Sequence, residues 1–311
     1  MSRTRYLPLV EVTLAVIFWG ASFIATKIAV REVSPYSIIW LRFGIGVLIL
    51  GAAVLQRKQF QRLPLRDLPY FALLGFLAIT FHQWLQVNGL VTAQATTTAW
   101  IVATTPVFIA ILSALFLHER LDLVRIGGIA LAAAGVLLVV SHGDLGTLAL
   151  GRFGEPGDLL IVVSSVNWAV FTVISRRGLN RYPAALMMFY LMLIGWLLNS
   201  VLFFTGPGLG ELARLDANGW LAIAFLGIFC SGLAYIFWYD ALKGLPASRV
   251  GVFLYIEPLI TLVVAAFILA ERVTIASAIG GVIIILGVWL VNRSTRPSER
   301  SLAQAQAEEP S

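Results

Sequence analysis

Apolar runs of about 20 residues follow one another down almost the whole chain, broken by short polar segments. They predict helices at 9–30, 36–55, 68–90, 96–117, 124–141, 158–176, 184–205, 218–240, 248–269 and 274–292. At 1.5 Å per residue each is long enough to cross roughly 30 Å of hydrocarbon. The pattern therefore predicts an all-α integral membrane protein with ten transmembrane helices. The longest connection, Ser141 to Asp158, carries Gly143, Gly146, Gly151, Gly154, Pro156 and Gly157 at mid-chain and reads as the joint between two halves. Residues 293–311 are polar and read as a disordered cytoplasmic tail.

The two halves resemble each other. A gapless shift of 152 residues lays Ala95, Pro106, Glu119, Arg120, Gly128 and Gly135 on Ala247, Pro258, Glu271, Arg272, Gly280 and Gly287. It also lays Gly75 and Leu90 on Gly227 and Leu242, and Asn88 on Asp240. Upstream the offset falls to 149 for Trp19 with Trp168 and Lys27 with Arg176, and to 148 for Pro35 with Pro183. Residues 9–141 and 158–292 are thus read as two five-helix repeats. Because five is odd, the second enters from the opposite side of the membrane, giving inverted-topology repeats. In secondary transporters such repeats hold the solute near the midplane between them.

Composition agrees with lipid as the solvent: 59% of residues are hydrophobic and 12% charged, with a mean hydropathy of +0.89. Soluble domains carry about a quarter charged residues. The net charge of +6 is scattered over short connections rather than gathered on one face, which argues against a nucleic-acid partner. With the N-terminus inside, the inner segments hold sixteen Lys and Arg and the outer connections four, Arg31, Arg152, Arg214 and Arg272. This asymmetry places both termini in the cytosol. The first apolar run is long and lacks a signal-type cleavage site, so it reads as a retained helix. The single cysteine, Cys230, excludes a disulfide within one chain.

Several motifs carry a family resemblance. They are Phe18-Trp19-Gly20-Ala21-Ser22-Phe23, Leu41-Arg42-Phe43, and Pro106 and Pro258, each followed thirteen residues later by Glu-Arg and then by a glycine-rich helix. Over about residues 9–292 the chain resembles the EamA-like family of the drug/metabolite transporter superfamily. The resemblance implies a multi-pass carrier of the bacterial inner membrane, often an exporter of amino acids or other metabolites, working by alternating access.

Glu257 is the sharpest candidate. It lies about 14 Å from the inner end of its span at helical rise, and a carboxylate at that depth is by default a functional group. It is read as the coupling residue, exchanging a proton or binding a cationic group of the solute; the alternative is a structural hydrogen bond. Pro106 and Pro258 each remove a backbone donor and free the carbonyls of Val102 and Leu254 to face a cavity or permit a hinge; they are read as hinges, with a plain packing kink as the alternative. A cavity lining is expected from Trp19, Ser22, His82, Gln86, Trp100, Thr104, Thr105, Trp168, Tyr235, Trp238, Tyr239 and Glu257, drawn from the first, third and fourth spans and their repeat partners. Polar faces avoid lipid. Arg42 is read as a structural or surface residue, with attraction of an anionic solute group or pairing with Glu257 as alternatives. Lys27 is expected to snorkel outward. His82 has no metal-ligand spacing around it and reads as a hydrogen-bonded cavity residue. Glu119 and Glu271 read as local caps. Gly128, Ala132 and Gly135 form a small-residue face on the fifth span, repeated by Gly280 and Gly287 on the tenth, and read as places of close helix packing.

Together these point to a secondary active transporter, an exporter of a small organic metabolite such as an amino acid, with possible proton coupling. No cofactor and no metal are implied, no P-loop is present, and the sequence assigns no oligomeric state. The competing class is a membrane enzyme acting on a lipid or lipid-linked substrate. The chain has neither HExxH nor GxSxG to support it. The orientation is testable in a background lacking Cys230: Arg62→Cys and Ser301→Cys are expected to label only from the cytosol, and Gly146→Cys only from outside. External labelling at position 62 overturns it.

Overall fold

The computed structural model describes residues 3–117, 122–144, 154–245 and 247–293. Among them every regular element is helical, and ten helices are long and apolar enough to cross a membrane. They are α1 (Arg3–Ala29), α2 (Pro35–Gln56), α3 (Leu65–Thr92), α4 (Ala95–Val102 and Thr105–Leu117), α5 (Leu123–Val140), α6 (Pro156–Leu179), α7 (Ala184–Thr205), α8 (Ala217–Gly244), α9 (Ala247–Ile268) and α10 (Ile275–Arg293). Glu119, Arg120 and the tail beyond Arg293 lie outside the described residues.

Local sequence explains where helices start. Pro35 opens α2 and Pro156 opens α6, positions where the missing N–H costs nothing. Asp122 accepts from Arg125 N at 2.8 Å to begin α5, and Asp216 accepts from Asn218 N and Gly219 N to begin α8. Ahead of α6, Asp158 Oδ2 accepts from Glu155 N at 2.9 Å, as in a capping box.

Two longer-range caps tie the halves together. Glu271, after α9, accepts from Ala95 N, Thr96 N and Thr96 Oγ1 at 2.9–3.1 Å, so its cap is not local but closes the start of α4. Glu211, before α8, accepts from Ser34 N at 2.9 Å and Ser37 Oγ at 2.7 Å at the start of α2. Burial alone would raise the Glu211 carboxyl, but these donors hold it below the ordinary glutamate value. Lys27 does not snorkel outward: its Nζ donates to Ala93 O at 2.6 Å, at the C-terminal end of α3, where a cation meets the helix dipole.

Four spans are irregular, in repeat-related pairs. A π-helical stretch interrupts α3 at Phe76–Phe81 and α8 at Leu226–Leu233. Its wide turns rise less per residue, so these spans run longer than the 68–90 and 218–240 read from hydropathy. α4 breaks at Ala103 and Thr104, and α9 tightens into a 3-10 turn at Phe253–Ile256. Each irregularity of this second pair precedes its proline.

The packing has two-fold character. α5 lies along α10 and α2 along α7, while α1 packs on α8 and α9 as α6 packs on α3 and α4. The halves are thus interlocked rather than side by side. Glycines set the closest approaches: a Cβ on Gly135 would lie 2.8 Å from Gly280 O, and one on Gly287 2.5 Å from Ala132 N and 2.7 Å from Gly128 O. On the other side of the fold, Arg57 forks onto Asp240 at 2.7 and 2.6 Å, with Lys243 on the same carboxylate at 2.9 Å.

The α5/α10 contact yields a test. Gly135→Leu is expected to destabilise the detergent-purified protein by about 1–3 kcal/mol, the usual range for overpacking. Gly127→Leu, whose Cβ meets nothing within 4 Å, should leave the melting temperature nearly unchanged. Equal melting of the two variants would remove the contact from the stability argument.

Candidate functional site

The site begins where α1 meets α9. A Cβ on Gly20 would lie 2.9 Å from Glu257 O, so only glycine admits this approach. Thr261 Oγ1 secures it by donating to Gly20 O at 2.8 Å. The Glu257 side chain, at the head of the second segment of α9, is half-buried. Among the described residues its carboxylate has no hydrogen-bond or ion-pair partner. It is not held by the structural hydrogen bond that was the alternative reading.

Trp19, beside Gly20, reaches α8. Its Nε1 donates to Cys230 O at 3.1 Å inside the π-helical stretch. Its ring packs 5.5 Å from Tyr235 and 5.2 Å from Trp238, centroid to centroid. The first half repeats this joint: Asn167 Nδ2 on α6 donates to Leu77 O, within the π stretch of α3, at 2.8 Å. Each π stretch thus gives a carbonyl to a side chain from the opposite half. Next to Asn167, Trp168 packs 4.7 Å from His82, and His82 Nδ1 lies 3.2 Å from Ser164 O. His82 is therefore a buried, hydrogen-bonded residue.

Arg42 joins the two groups. It is 6% exposed; its Nε donates to Ser231 Oγ on α8 at 3.1 Å and its Nη1 to Gln83 Oε1 on α3 at 3.4 Å. Gly46, one turn along α2, makes room for α8, since a Cβ there would lie 2.8 Å from Ser231 Cβ. The surface reading of Arg42 is thereby corrected, and so is its pairing with Glu257. Among the described residues no carboxylate lies within 4.0 Å of it. Gln83 and Ser231, polar residues of the third and eighth spans, enter here as the partners an arginine needs inside an apolar span.

The remaining candidates divide. Gln86 and Tyr239 are half-buried on α3 and α8. Ser22 Oγ donates back to Trp19 O at 2.7 Å. Thr104 and Thr105 donate to Ile101 O and Val102 O, both at 2.6 Å. The Val102 carbonyl freed by Pro106 is thus capped by the residue before the proline, rather than turned to a cavity. Leu254 O is likewise taken, by Glu257 N, through the 3-10 turn. Trp100 stands apart: 2% exposed, it packs with Val107, Ala132, Val139, Ile284 and Val288 over Gly281, away from the other aromatics. Its Nε1 has no partner among the described residues. It belongs to the packing of α4, α5 and α10, which corrects its assignment to the cavity.

Known proteins match this chain along nearly its full length. The model of the EamA-like transporter family matches twice, at residues 9–141 and 155–293. A protein of Archaeoglobus fulgidus named an uncharacterized transporter is 31% identical over 288 residues, 91% of this chain and 98% of its own. The Bacillus subtilis transporter YyaM, also named uncharacterized, is 30% identical over 274 residues, 88% of this chain and 89% of its own. A solved crystal structure superposes with a TM-score of 0.66 at 23% identity, covering 95% of this chain and 99% of that one, which speaks to the fold alone.

The division of the aromatics is testable. Trp100→Ala is expected to lower stability by about 3–5 kcal/mol, as for large core truncations, without changing solute affinity in the protein that folds. Tyr235→Ala should weaken solute binding with a small change in melting temperature. Thermal unfolding and binding measured on the same preparations check this, and weakened binding in the folded Trp100 variant returns that ring to the cavity.

Proposed function

The chain belongs to the EamA-like transporter family, a membrane transporter by its kinship, and from that premise we propose a secondary active exporter of a small organic metabolite such as an amino acid. Residues 9–141 and 158–292 act as the two moving units, with the solute held between them near the midplane. The protein sits in the bacterial inner membrane with both termini in the cytosol. Alternating access is supported by the paired breaks of α4 and α9 and the paired π stretches of α3 and α8, which give each unit matching places to bend.

The observation that carries this reading is Glu257. A carboxylate deep in a bundle is costly unless paired or neutralised, and among the described residues this one has no partner. Its repeat counterpart, Thr105, does not titrate. Glu257 stands at the restart of α9 after the 3-10 turn, its own N–H serving that turn, so a change in its charge acts directly on the bend. Glu257 takes up a proton when the cavity faces one side and releases it on the other.

Reconstituted into liposomes, Glu257→Gln is expected to abolish proton-driven accumulation while retaining a good part of solute exchange. Accumulation at the wild-type rate and pH dependence removes Glu257 as the coupling site. Loss of binding, with residual flux still proton-driven, assigns it to the solute's cationic group.

A further inference from the structure

We propose that Arg42 is the specificity-determining residue of the central site, seating an oxyanion group of the solute, a carboxylate or a phosphate-like group. The inference rests on the transporter reading and deepens it. Four observations carry it. Arg42 is buried two turns into an apolar span, and among the described residues it has no carboxylate within 4.0 Å. Its two hydrogen bonds go to neutral groups, Ser231 Oγ and Gln83 Oε1. These use Nε and one Nη1 hydrogen, and leave the other Nη1 hydrogen and both Nη2 hydrogens without a partner among the described residues. Nη2 has no partner among the described residues, yet it is not among their fully sealed polar atoms.

A buried guanidinium with unused donors on Nη2 suits an oxyanion, which accepts charge-assisted hydrogen bonds. The guanidinium is also pre-oriented. Nε is pinned by Ser231, Nη1 by Gln83, and the guanidinium carbon lies 4.9 Å from the centroid of the Phe43 ring, so little freedom remains to be lost on binding. A merely structural arginine in this setting is expected to pair with an acid, because an unpaired buried cation is costly. Glu257 is the obvious acid, and it is held elsewhere. The chain links the two through α8 and α1: Arg42 holds Ser231, its neighbour Cys230 takes the Trp19 indole N–H, and Gly20, next to Trp19, sits against Glu257 O. The two charges are therefore within one site but not in contact, and a solute anion supplies the missing counter-charge of Arg42.

The test uses matched compounds: 2-amino and 2-hydroxy acids with leucine and phenylalanine side chains, with the carboxamide and the phosphonate analogue of each. Thermal stabilisation of the detergent-purified protein reads binding, and release from loaded liposomes reads flux. Wild type is expected to bind an oxyanion member at least tenfold more tightly than its carboxamide, and the better of carboxylate and phosphonate identifies the group. Arg42→Gln should abolish that preference, and Arg42→Lys, which keeps the charge and loses the guanidinium, should retain part of it. Equal binding of oxyanion and amide by wild type, binding of no oxyanion, or an unchanged preference in Arg42→Gln overturns the proposal. If Arg42→Gln fails to fold, the wild-type comparison decides alone. Oxyanion preference in binding without flux of any compound leaves the Arg42 assignment standing and removes the transporter reading. Flux of amides and oxyanions alike does the reverse.

Discussion

Every backbone N–H and C=O in a lipid-embedded chain must find its partner inside the protein, and the architecture follows from how this chain meets that demand where its helices break. Straight spans satisfy themselves. The irregular ones borrow side chains: Trp19 serves the π stretch of α8, Asn167 that of α3, and Thr105 the carbonyl released by Pro106. Glu257 N closes the turn before Pro258. Two of these donors come from the opposite half, so the breaks are also where the halves are stitched together. Each such break is therefore also a contact between the two halves.

The symmetry of the scaffold is not matched by its charges. The repeat lays Pro106 on Pro258 and Asn88 on Asp240, but Glu257 falls on Thr105. At the offset that pairs Pro35 with Pro183, Arg42 falls on Tyr190. The two halves supply matching breaks, while each supplies a different charge to the centre. The paired helix irregularities are symmetric, and the ionisable groups beside them are not.

The fold was largely legible because its determinants are periodic. Hydropathy located all ten spans, and the 152-residue register exposed the repeat and the small-residue faces of α5 and α10, though not that those two faces meet. The π stretches were not legible: Phe76–Phe81 and Leu226–Leu233 carry neither proline nor a distinctive composition, and depend on partners brought in from the other half. The site was legible only in part, for a related reason. Trp100 sits on a polar helix face like the other aromatics, but its neighbours across space are Gly281 and the α5/α10 core, which spacing along α4 does not reveal. The freed Val102 carbonyl suggested a cavity group, whereas the adjacent Thr105 hydroxyl was already positioned to take it.

Arg42 and Glu257 pose an energetic question that bears on mechanism. A buried pair in contact gains back much of its desolvation, while separated and unpaired ions in a dry interior each cost several kcal/mol. Direct pairing would be the cheaper arrangement for a static scaffold, and it would lock α2 to α9. Keeping the charges apart leaves the centre of the bundle with two ionisable groups that a proton or a solute can neutralise. Under the proposed function, a proton on Glu257 and a solute oxyanion on Arg42 each offset one of these costs, which ties the energetics of the centre to its occupancy.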